Sequence, residues 1–325
     1  MKTSIKLVVM LICTIPVFQQ CEKDDGDGDP IDVSGGLIAS YNIAKEDVVR
    51  NIPVAYIEAA RNTLHIAYQH TSHGTHVSYG MFGMQDYKNG DDVLFGITNN
   101  NPTAGKLDFR DYAMGNYAAA GENASDLSVN ETAFIQATRN YLDDPDNSEI
   151  NVVMWSWCSI GGHDVANNYL PGMQTLINEY GKGGSKIGTG AGQRQLPVTF
   201  IFMTGHAETN SNIGKGRPKN QADTIISYCK AKGYYCLDYY GIDTHDMEDN
   251  YWEDTGDDGN SQDYGGNFYI DWQAAHKVGR DYFENKSNPG GDVTFGAHNT
   301  QHITANRKAY AMWWILAQIA GWEGK

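Results

Sequence analysis

The chain has no cluster of lysine and arginine side chains, and after its first segment it has no apolar run long enough to cross a bilayer. Its 325 residues carry 24 basic and 40 acidic side chains, which give a formal net charge of −16. Proteins that bind nucleic acid need a basic surface, and a membrane-spanning helix needs about 20 mostly apolar residues. The sequence therefore predicts no nucleic-acid partner and no span after the N-terminal segment.

Cysteine is also scarce, with five in the chain. Cys13 and Cys21 belong to the N-terminal segment, which leaves Cys158, Cys229 and Cys236. Their spacing is not that of a zinc site, and three thiols allow one disulfide with one thiol left over. Cys229 with Cys236 is the simplest pair. We expect no resident metal and no cofactor.

The N-terminal segment is predicted to be a targeting signal and not part of the folded domain. Lys2 and Lys6 precede a mostly apolar stretch over 7–18, which is too short to span a bilayer. The stretch ends near Cys21, and an acidic run over 22–29 follows. This pattern resembles a bacterial lipoprotein signal, with cleavage before Cys21 and acylation of its thiol.

The acidic run directly after the cysteine resembles the surface-export signal of Bacteroidetes lipoproteins. We therefore predict a signal peptide over 1–20, an acidic linker over 21–36, and an outer-membrane lipoprotein at the cell surface or on the periplasmic side. Its membrane contact would be the lipid on Cys21 alone. The alternative is an ordinary secretory signal followed by an acidic linker.

From residue 37 onward, strand-like and helix-like stretches alternate. Continuously apolar strands separated by helices favour a parallel sheet covered on both faces. The predicted strands are 64–68, 150–157, 198–203 and 234–239, with a weaker one near 112–119. The predicted helices are 131–142, 168–180, 221–232 and 304–320. We expect one domain over 37–325, with a loop insertion over about 243–297.

Polar clusters follow each of the four main predicted strands. They occupy 70–76, 158–164, 204–208 and 243–246. Ligands of open parallel sheets bind at the carboxyl ends of the strands. The sequence therefore predicts an active site along this edge.

Ser72 is the candidate nucleophile. It lies in a short polar turn between the first predicted strand and a following helix, where a rigid strand end and free helix N–H groups favour nucleophilic chemistry. His302, just before the last helix, is the candidate base. The alternative is that Ser72 only caps the helix.

The order of these features resembles the SGNH (GDSL-like) hydrolases. Ser72, within His-Thr-Ser-His-Gly, corresponds to the first block of that family, and Gly121 corresponds to the second. Gly-Gly-His-Asp at 161–164 resembles the third block, with His163 in place of asparagine. Asn299-Thr-Gln-His302 resembles the Asp-x-x-His of the last block, with Asn299 in the position of the acid.

The resemblance implies a flavodoxin-like three-layer α/β/α sandwich and an ester hydrolase. Ser72 would attack the ester carbonyl, and His302 would take its proton and return it to the leaving alcohol. Asn299 would orient His302 by a hydrogen bond. Because an amide lacks the negative charge of a carboxylate, Asp292 or Asp243 would supply that charge.

The resemblance also implies an oxyanion hole. The backbone N–H groups of Ser72 and Gly121 would contribute to it, and His163 would be a third donor. His206, which follows another predicted strand, competes with His163 for that role.

The substrate predicted from these features is an acylated carbohydrate or polysaccharide outside the cell. Twenty tyrosines and seven tryptophans favour sugar binding, since aromatic faces stack on the apolar faces of sugars. One alternative is a lyase without a metal. Another is a metal-dependent enzyme built on histidines and an aspartate after the strands, namely His70, His73, His76, His206, His245 and Asp246. The third is a glycan-binding lipoprotein of the same fold that has no turnover.

Overall fold

A seven-stranded sheet in which every paired strand is parallel forms the centre of the computed structural model, which describes residues 37–324. The predicted signal and linker, 1–20 and 21–36, lie outside the described residues. No helix within 37–324 combines the length and the hydropathy of a membrane span. The strands are β1 (Ile38–Ala39), β2 (His65–Gln69), β3 (Ile97–Asn99), β4 (Leu107–Asp111), β5 (Val152–Trp155), β6 (Thr199–Met203) and β7 (Tyr235–Leu237).

The strand order is β1-β7-β6-β5-β2-β4-β3. From β2 the chain goes to the edge strand β3 and returns to β4, which lies between β3 and β2. It then crosses to the other side of β2 to add β5, β6 and β7 in turn. The connections therefore diverge between β2 and β5. In doubly wound folds such a switch point leaves a crevice at the carboxyl ends of the strands, where ligands bind.

Helices cover both faces of the sheet. Side chains alternate along each strand, so that Ile66 and Tyr68 of β2 join one core while Ala67 joins the other. The first core is shared with α1 (Glu46–Arg50), α2 (Val54–Thr63), α3 (Thr75–Met84) and α10 (His302–Ile319). The second is shared with α5 (Ala133–Asp143), α6 (Leu170–Tyr180) and α7 (Pro218–Lys232). The predicted three-layer α/β/α sandwich is confirmed.

The weak strand predicted near 112–119 is wrong. Strand β4 ends at Asp111, and Tyr112 has a left-handed backbone with φ of 54°, which strands do not adopt. The sequence analysis also missed β1, β3 and β4. Strands β1 and β3 are only two and three residues long, and β4 carries Asp108 and Arg110 within its five residues.

Segment 243–297 contains regular structure as well as loops. Helix α8 (Tyr239–Thr244) is short and ends at the start of the segment; α4 (Asp91–Leu94), much earlier in the chain, is also short. The hairpin of β8 (Asn260–Ser261) and β9 (Gly266–Asn267) follows, and then α9 (Phe268–Ala275). Phe268 and Tyr269 pack with Ile303 of α10 in a core of their own.

Cys229 of α7 and Cys236 of β7 are both buried in the second core, and their thiols interact. Both are free thiols, as is Cys158. The pairing that the spacing suggested is therefore not formed in this structure. Burial raises the pKa of Cys236 well above its ordinary value, so this thiol is inert.

Candidate active site

Cys158 and His73 meet at the switch point between β2 and β5. His73 follows β2, Cys158 follows β5, and the Cys158 sulfur lies 3.5 Å from Nδ1 of His73. The turn that carries Cys158 is fixed by Ser128, whose Oγ accepts hydrogen bonds from the N–H groups of Cys158 at 2.7 Å and Ser159 at 2.8 Å. The thiol and the imidazole are therefore brought together by two rigid strand ends.

The backbone of His73 is held from two sides. Tyr239 donates a hydrogen bond to the His73 carbonyl, and Tyr68 donates one to the carbonyl of Gly74, each at 2.9 Å. A Cβ atom at Gly74 would lie 2.3 Å from Cβ of His70 and 2.6 Å from Oγ of Ser156. Only glycine fits there, because the side chains of His70 and Ser156 approach the turn so closely.

A carboxylate lies on the other side of the His73 ring. Oδ2 of Asp257 is 3.6 Å from Nε2 of His73, which is the distance of an ion pair. Asn299 donates a hydrogen bond of 3.1 Å to the same Asp257 oxygen. Thiol, imidazole and carboxylate thus form one line, the arrangement of a nucleophile, its base and an orienting acid.

The charges in this line support one another. Burial opposes a charge on His73, but Asp257 and Cys158 outweigh that effect and raise the pKa of His73 to about 9. The hydrogen bond with His73 lowers the pKa of Cys158 despite its partial burial. Burial likewise opposes the charge on Asp257, but His73 holds the pKa of that carboxyl well below its usual range. These shifts favour a thiolate paired with an imidazolium, beside a carboxylate.

Two further imidazoles stack on His73. The His206 ring lies 3.7 Å away at an interplanar angle of 11°, and the His298 ring lies 4.4 Å away at 18°. His206 donates a hydrogen bond of 2.6 Å from Nδ1 to the carbonyl of Ala207. Burial, and then the charge of His73, lower the pKa of His206 to about 4. His206 therefore offers a neutral aromatic face to the charged ring.

The same residues include possible metal ligands. Donor atoms of His73, Cys158 and His298 lie within 4.8 Å of one another, and so do those of His73, His206 and Asp257. An imidazole lone pair lies in the plane of its ring, and zinc is bound at about 2.0–2.1 Å from nitrogen. Because the rings lie in nearly parallel planes, two of them cannot point at one ion. In these orientations the residues do not fit a shared metal.

The other histidines of the predicted metal set are separately engaged. His70 is bonded through Nε2 to Asp111 at 2.7 Å, and His76 donates to the Ala297 carbonyl at 2.9 Å. His245 bonds the Gly241 carbonyl at 2.8 Å. The neighbouring Asp246 accepts from Trp252 at 2.9 Å. The structure therefore does not bring this set together around one point.

Ser72 is next to the thiol. It has a left-handed backbone, with φ of 37°, in the turn between β2 and α3. Its side chain helps to lower the pKa of Cys158, after the larger effect of His73. Such a conformation is strained in a residue other than glycine and is found at functional sites.

His302, predicted as the base, makes other contacts. Its Nδ1 accepts a hydrogen bond of 3.2 Å from the N–H of Asn285, and its ring stacks on Phe295 at 4.5 Å. No hydrogen bond or ring contact within the described residues joins it to Ser72. Asn299, predicted to orient His302, bonds Asp257 instead.

No hydrogen bond or ring contact within residues 37–324 joins Gly121 or His163 to Cys158 or His73. Gly121 is exposed in a turn with φ of 85°, and a Cβ atom there would meet nothing within 4 Å. His163 bonds Glu131 at 3.0 Å through Nδ1. His206 is thus the predicted third donor that the structure brings beside the thiol and imidazole.

A buried ion pair lies behind the site. Lys308 of α10 donates a hydrogen bond to Asp243, and both side chains are fully buried. Asp243 also accepts from the N–H of Ala207 at 3.2 Å, directly after His206. Burial raises the pKa of Asp243 to about 6, although Lys308 opposes the shift. The pair therefore supports the chain segment that carries His206.

Sequence analysis missed Cys158, His73, Asp257 and His298 as a group. One signal was present: Cys158 is the thiol left over from the simplest pairing, and it directly follows a buried strand. His73 lies in the equivalent place after the neighbouring strand. No comparable signal marks Asp257 among the acidic residues of its segment.

Two cavities of the structure have volumes of about 620 and 590 Å³. Neither includes Cys158 or His73 in its wall. The chemistry identifies the site better than cavity size does. Comparison with known proteins finds no protein-family model, no curated protein and no solved structure that matches the chain. The resemblance to SGNH hydrolases stays a prediction from the order of the sequence blocks.

Proposed function

We propose that the protein is an acyl hydrolase in which Cys158 is the nucleophile, His73 the acid and base, and Asp257 the orienting carboxylate. The observation that carries the proposal is the line of these three side chains at the switch point, with distances of 3.5 and 3.6 Å. Ligands of this fold class bind at that point.

The reaction has two halves. The Cys158 thiolate adds to the carbonyl carbon of an ester, and the tetrahedral intermediate collapses as His73 donates its proton to the leaving alcohol oxygen. This leaves a thioester on Cys158 and a neutral His73. A water molecule then gives a proton to His73 as its oxygen attacks the thioester, and the acid is released while the thiolate and imidazolium re-form.

The oxyanion of the tetrahedral intermediate needs hydrogen-bond donors. The N–H groups of Cys158 and Ser159 are occupied by Ser128 Oγ. Ser72 carries a hydroxyl beside the thiol. We assign that hydroxyl as a donor to the oxyanion, so Ser72 assists the reaction in this scheme without forming a covalent bond.

The substrate class follows from the sequence. An acyl ester on a carbohydrate outside the cell agrees with the lipoprotein-like N-terminus and the aromatic content. The residues of segment 243–297 that lie over the strand ends would contact the part of the substrate beyond the ester.

A second candidate keeps Ser72 as the nucleophile. The strained φ of 37° in a strand–turn–helix connection supports it, because nucleophilic serines of hydrolases are exposed on such turns. In that case Cys158 would be a neighbour of the nucleophile.

Labelling with peptide mapping separates the two candidates. The purified protein is treated with iodoacetamide at pH 6.5 and, in parallel, with a fluorophosphonate. We expect iodoacetamide to modify Cys158 selectively, and Cys158→Ala to abolish hydrolysis of 4-nitrophenyl acetate. Full activity in Cys158→Ala, together with a fluorophosphonate adduct on Ser72, would overturn the proposal in favour of the serine.

Buried Cys229 and Cys236 serve as internal controls, since both should stay unmodified in the folded protein. A metal-dependent reaction predicts that a chelator abolishes hydrolysis. Under the proposed mechanism, activity persists in the chelator.

A further inference from the structure

A smaller cavity opens at the carboxyl ends of β1 and β7. Its volume is about 280 Å³, just below the usual range for ligand pockets, which begins at about 300 Å³. Ser40, directly after β1, and Asp238, directly after β7, form part of its wall. It therefore lies on the same edge of the sheet as Cys158 and His73.

Aromatic rings make up much of this wall. Tyr41 and His245 stack with ring centroids 3.5 Å apart and planes 4° apart, and Tyr251 lies 5.3 Å from His245. The hydroxyls of Tyr240 and Tyr251 are 3.3 Å apart. Tyr251 is 40% exposed, so part of its ring is open to solvent. Such rings present flat apolar faces with a polar edge, the surface that the C–H face of a sugar ring requires.

The charged groups of the wall are already paired. Asp238 accepts hydrogen bonds from Ser40 at 2.6 Å, from Thr204 at 3.1 Å and from the N–H of Gly241 at 3.0 Å. At the rim, Lys219 bonds Asp223 at 2.8 Å. Asp238 is buried with both oxygens already engaged, and Lys219 and Asp223 neutralise each other, so the cavity favours a neutral ligand whose hydroxyls both donate and accept.

The cavity is within reach of the nucleophile. In the sheet, β1 and β7 are separated from β5 by β6. Neighbouring strands lie about 4.8 Å apart, so the cavity is roughly 10–15 Å from Cys158 along the edge. An oligosaccharide of a few units spans that distance.

We propose that this cavity binds a neutral sugar unit of a glycan, with Tyr251 stacking on the ring. The binding itself stands apart from the proposed hydrolase activity. The further role of the cavity as a subsite for the substrate rests on that proposed function.

Affinity electrophoresis in native gels tests the binding. The gels contain soluble xylan, glucomannan, galactan or mixed-linkage glucan as neutral probes, and polygalacturonate as an acidic one. We expect at least one neutral polysaccharide to retard the wild-type protein. Tyr251→Phe, which keeps the ring, should be retarded as the wild type is, and Tyr251→Ala should lose at least tenfold in affinity.

Thermal unfolding of both variants shows whether the fold is intact, which is expected for so exposed a side chain. Three results would each overturn the inference: no retardation by any neutral probe, equal retardation of the folded Tyr251→Ala, or stronger retardation by polygalacturonate. Hydrolysis of 4-nitrophenyl acetate is measured in the same proteins. A wild-type protein that hydrolyses the ester and binds no neutral polysaccharide refutes the sugar site alone, and a wild-type protein that binds polysaccharide without hydrolysing the ester refutes the proposed function alone.

Discussion

The ring of His206 lies parallel to that of His73, with 3.7 Å between their centroids and 11° between their planes. Two charged imidazoles cannot share this separation without strong repulsion. Burial and the charge of His73 lower the pKa of His206 to about 4, while Asp257 and Cys158 overcome burial and raise that of His73 to about 9. The structure therefore assigns the proton to one specific ring of the stack, the one between the thiol and the carboxylate.

The reactivity of Cys158 should depend on that proton. We expect its alkylation by iodoacetamide to remain fast below pH 8.5, the ordinary pKa of a thiol. In His73→Ala the imidazolium is absent, so the midpoint of the rate against pH should move to 8.5 or above. In the matched variant His206→Asn the midpoint should stay below 8.5. Identical profiles for wild type and His73→Ala would contradict the assignment.

Ester hydrolysis should show a bell-shaped dependence on pH. On the acid side, activity falls as Cys158 takes up a proton, at a pH below the ordinary thiol value. On the alkaline side it falls near pH 9, where His73 loses the proton that the leaving alcohol needs. Both values belong to the coupled pair. Measurement of kcat/KM from pH 5 to 10 checks this, and activity that rises steadily through pH 10 would contradict it.

Asp257→Asn should impair chemistry more than binding. Without the carboxylate the imidazolium loses its main support, so the thiolate population and kcat should fall, by a factor on the order of 10². KM should change little. Asp263→Asn, an exposed substitution in the same segment, is the control and should keep wild-type activity. Equal kcat in the wild type and Asp257→Asn would remove Asp257 from the mechanism.

Replacement of Ser72 separates backbone strain from chemistry. Glycine tolerates the φ of 37° and alanine does not, so Ser72→Gly should be more stable than Ser72→Ala by about 1 kcal/mol. Both variants lack the hydroxyl and should lose activity alike. Chemical denaturation and ester hydrolysis measure the two effects. If only Ser72→Ala loses activity, the hydroxyl has no role and the conformation of the turn matters instead.

Replacement of one partner of the buried pair Lys308 and Asp243 should lower the free energy of unfolding far more than replacement of both. Lys308→Met leaves a carboxyl group alone in the core, which costs about 3–5 kcal/mol of unfolding free energy. The double variant Lys308→Met with Asp243→Asn should recover most of that loss, because the amide can still accept from Ala207. Urea unfolding of the three proteins checks this. A double variant no more stable than the single one would refute the idea.

His76 should make the protein less stable as the pH falls. Burial, and then the charge of Lys308, lower the pKa of His76 to about 3, while an unfolded histidine titrates near 6.5. Between these values the unfolded state binds more protons than the folded state. The contribution of His76 to the free energy of unfolding therefore falls by about 1.4 kcal/mol for each unit by which the pH is lowered. His76→Gln should show a correspondingly shallower slope between pH 6 and 4.5. Equal slopes in urea unfolding would contradict this.

Most of the sheet was predictable because its central strands are long apolar runs. Strands β2, β5, β6 and β7 fall within or beside the predicted ranges, and helices α5, α6, α7 and α10 overlap theirs. Two other strands were not predictable: the edge strand β1 is formed by pairing with β7, and β4, between β2 and β3, keeps Asp108 buried through an ion pair with His65, which is remote in sequence. Long-range contacts decide such segments.

The edge that carries the site was predictable, but the grouping of side chains was not. Parallel strands necessarily bring the residues after β2, β5 and β6 together. Which of His70, His73 and His76 faces the neighbouring turn depends on the tight turn over Ser72–Gly74, with its left-handed Ser72. The partner of His73 could not be found from spacing, since Asp257 lies 184 residues further along the chain and is one of many acidic residues there.

The origin of Asp257 in segment 243–297 has a consequence for how the molecule assembles. Cys158 and His73 are held by the sheet, whereas the carboxylate arrives only when that segment packs against it. During refolding, the thiol should gain its reactivity in step with this docking event. The rate of alkylation of Cys158 at successive refolding times would then follow the last stage of assembly. Protection of Cys229 and Cys236 from alkylation would follow the earlier closure of the core.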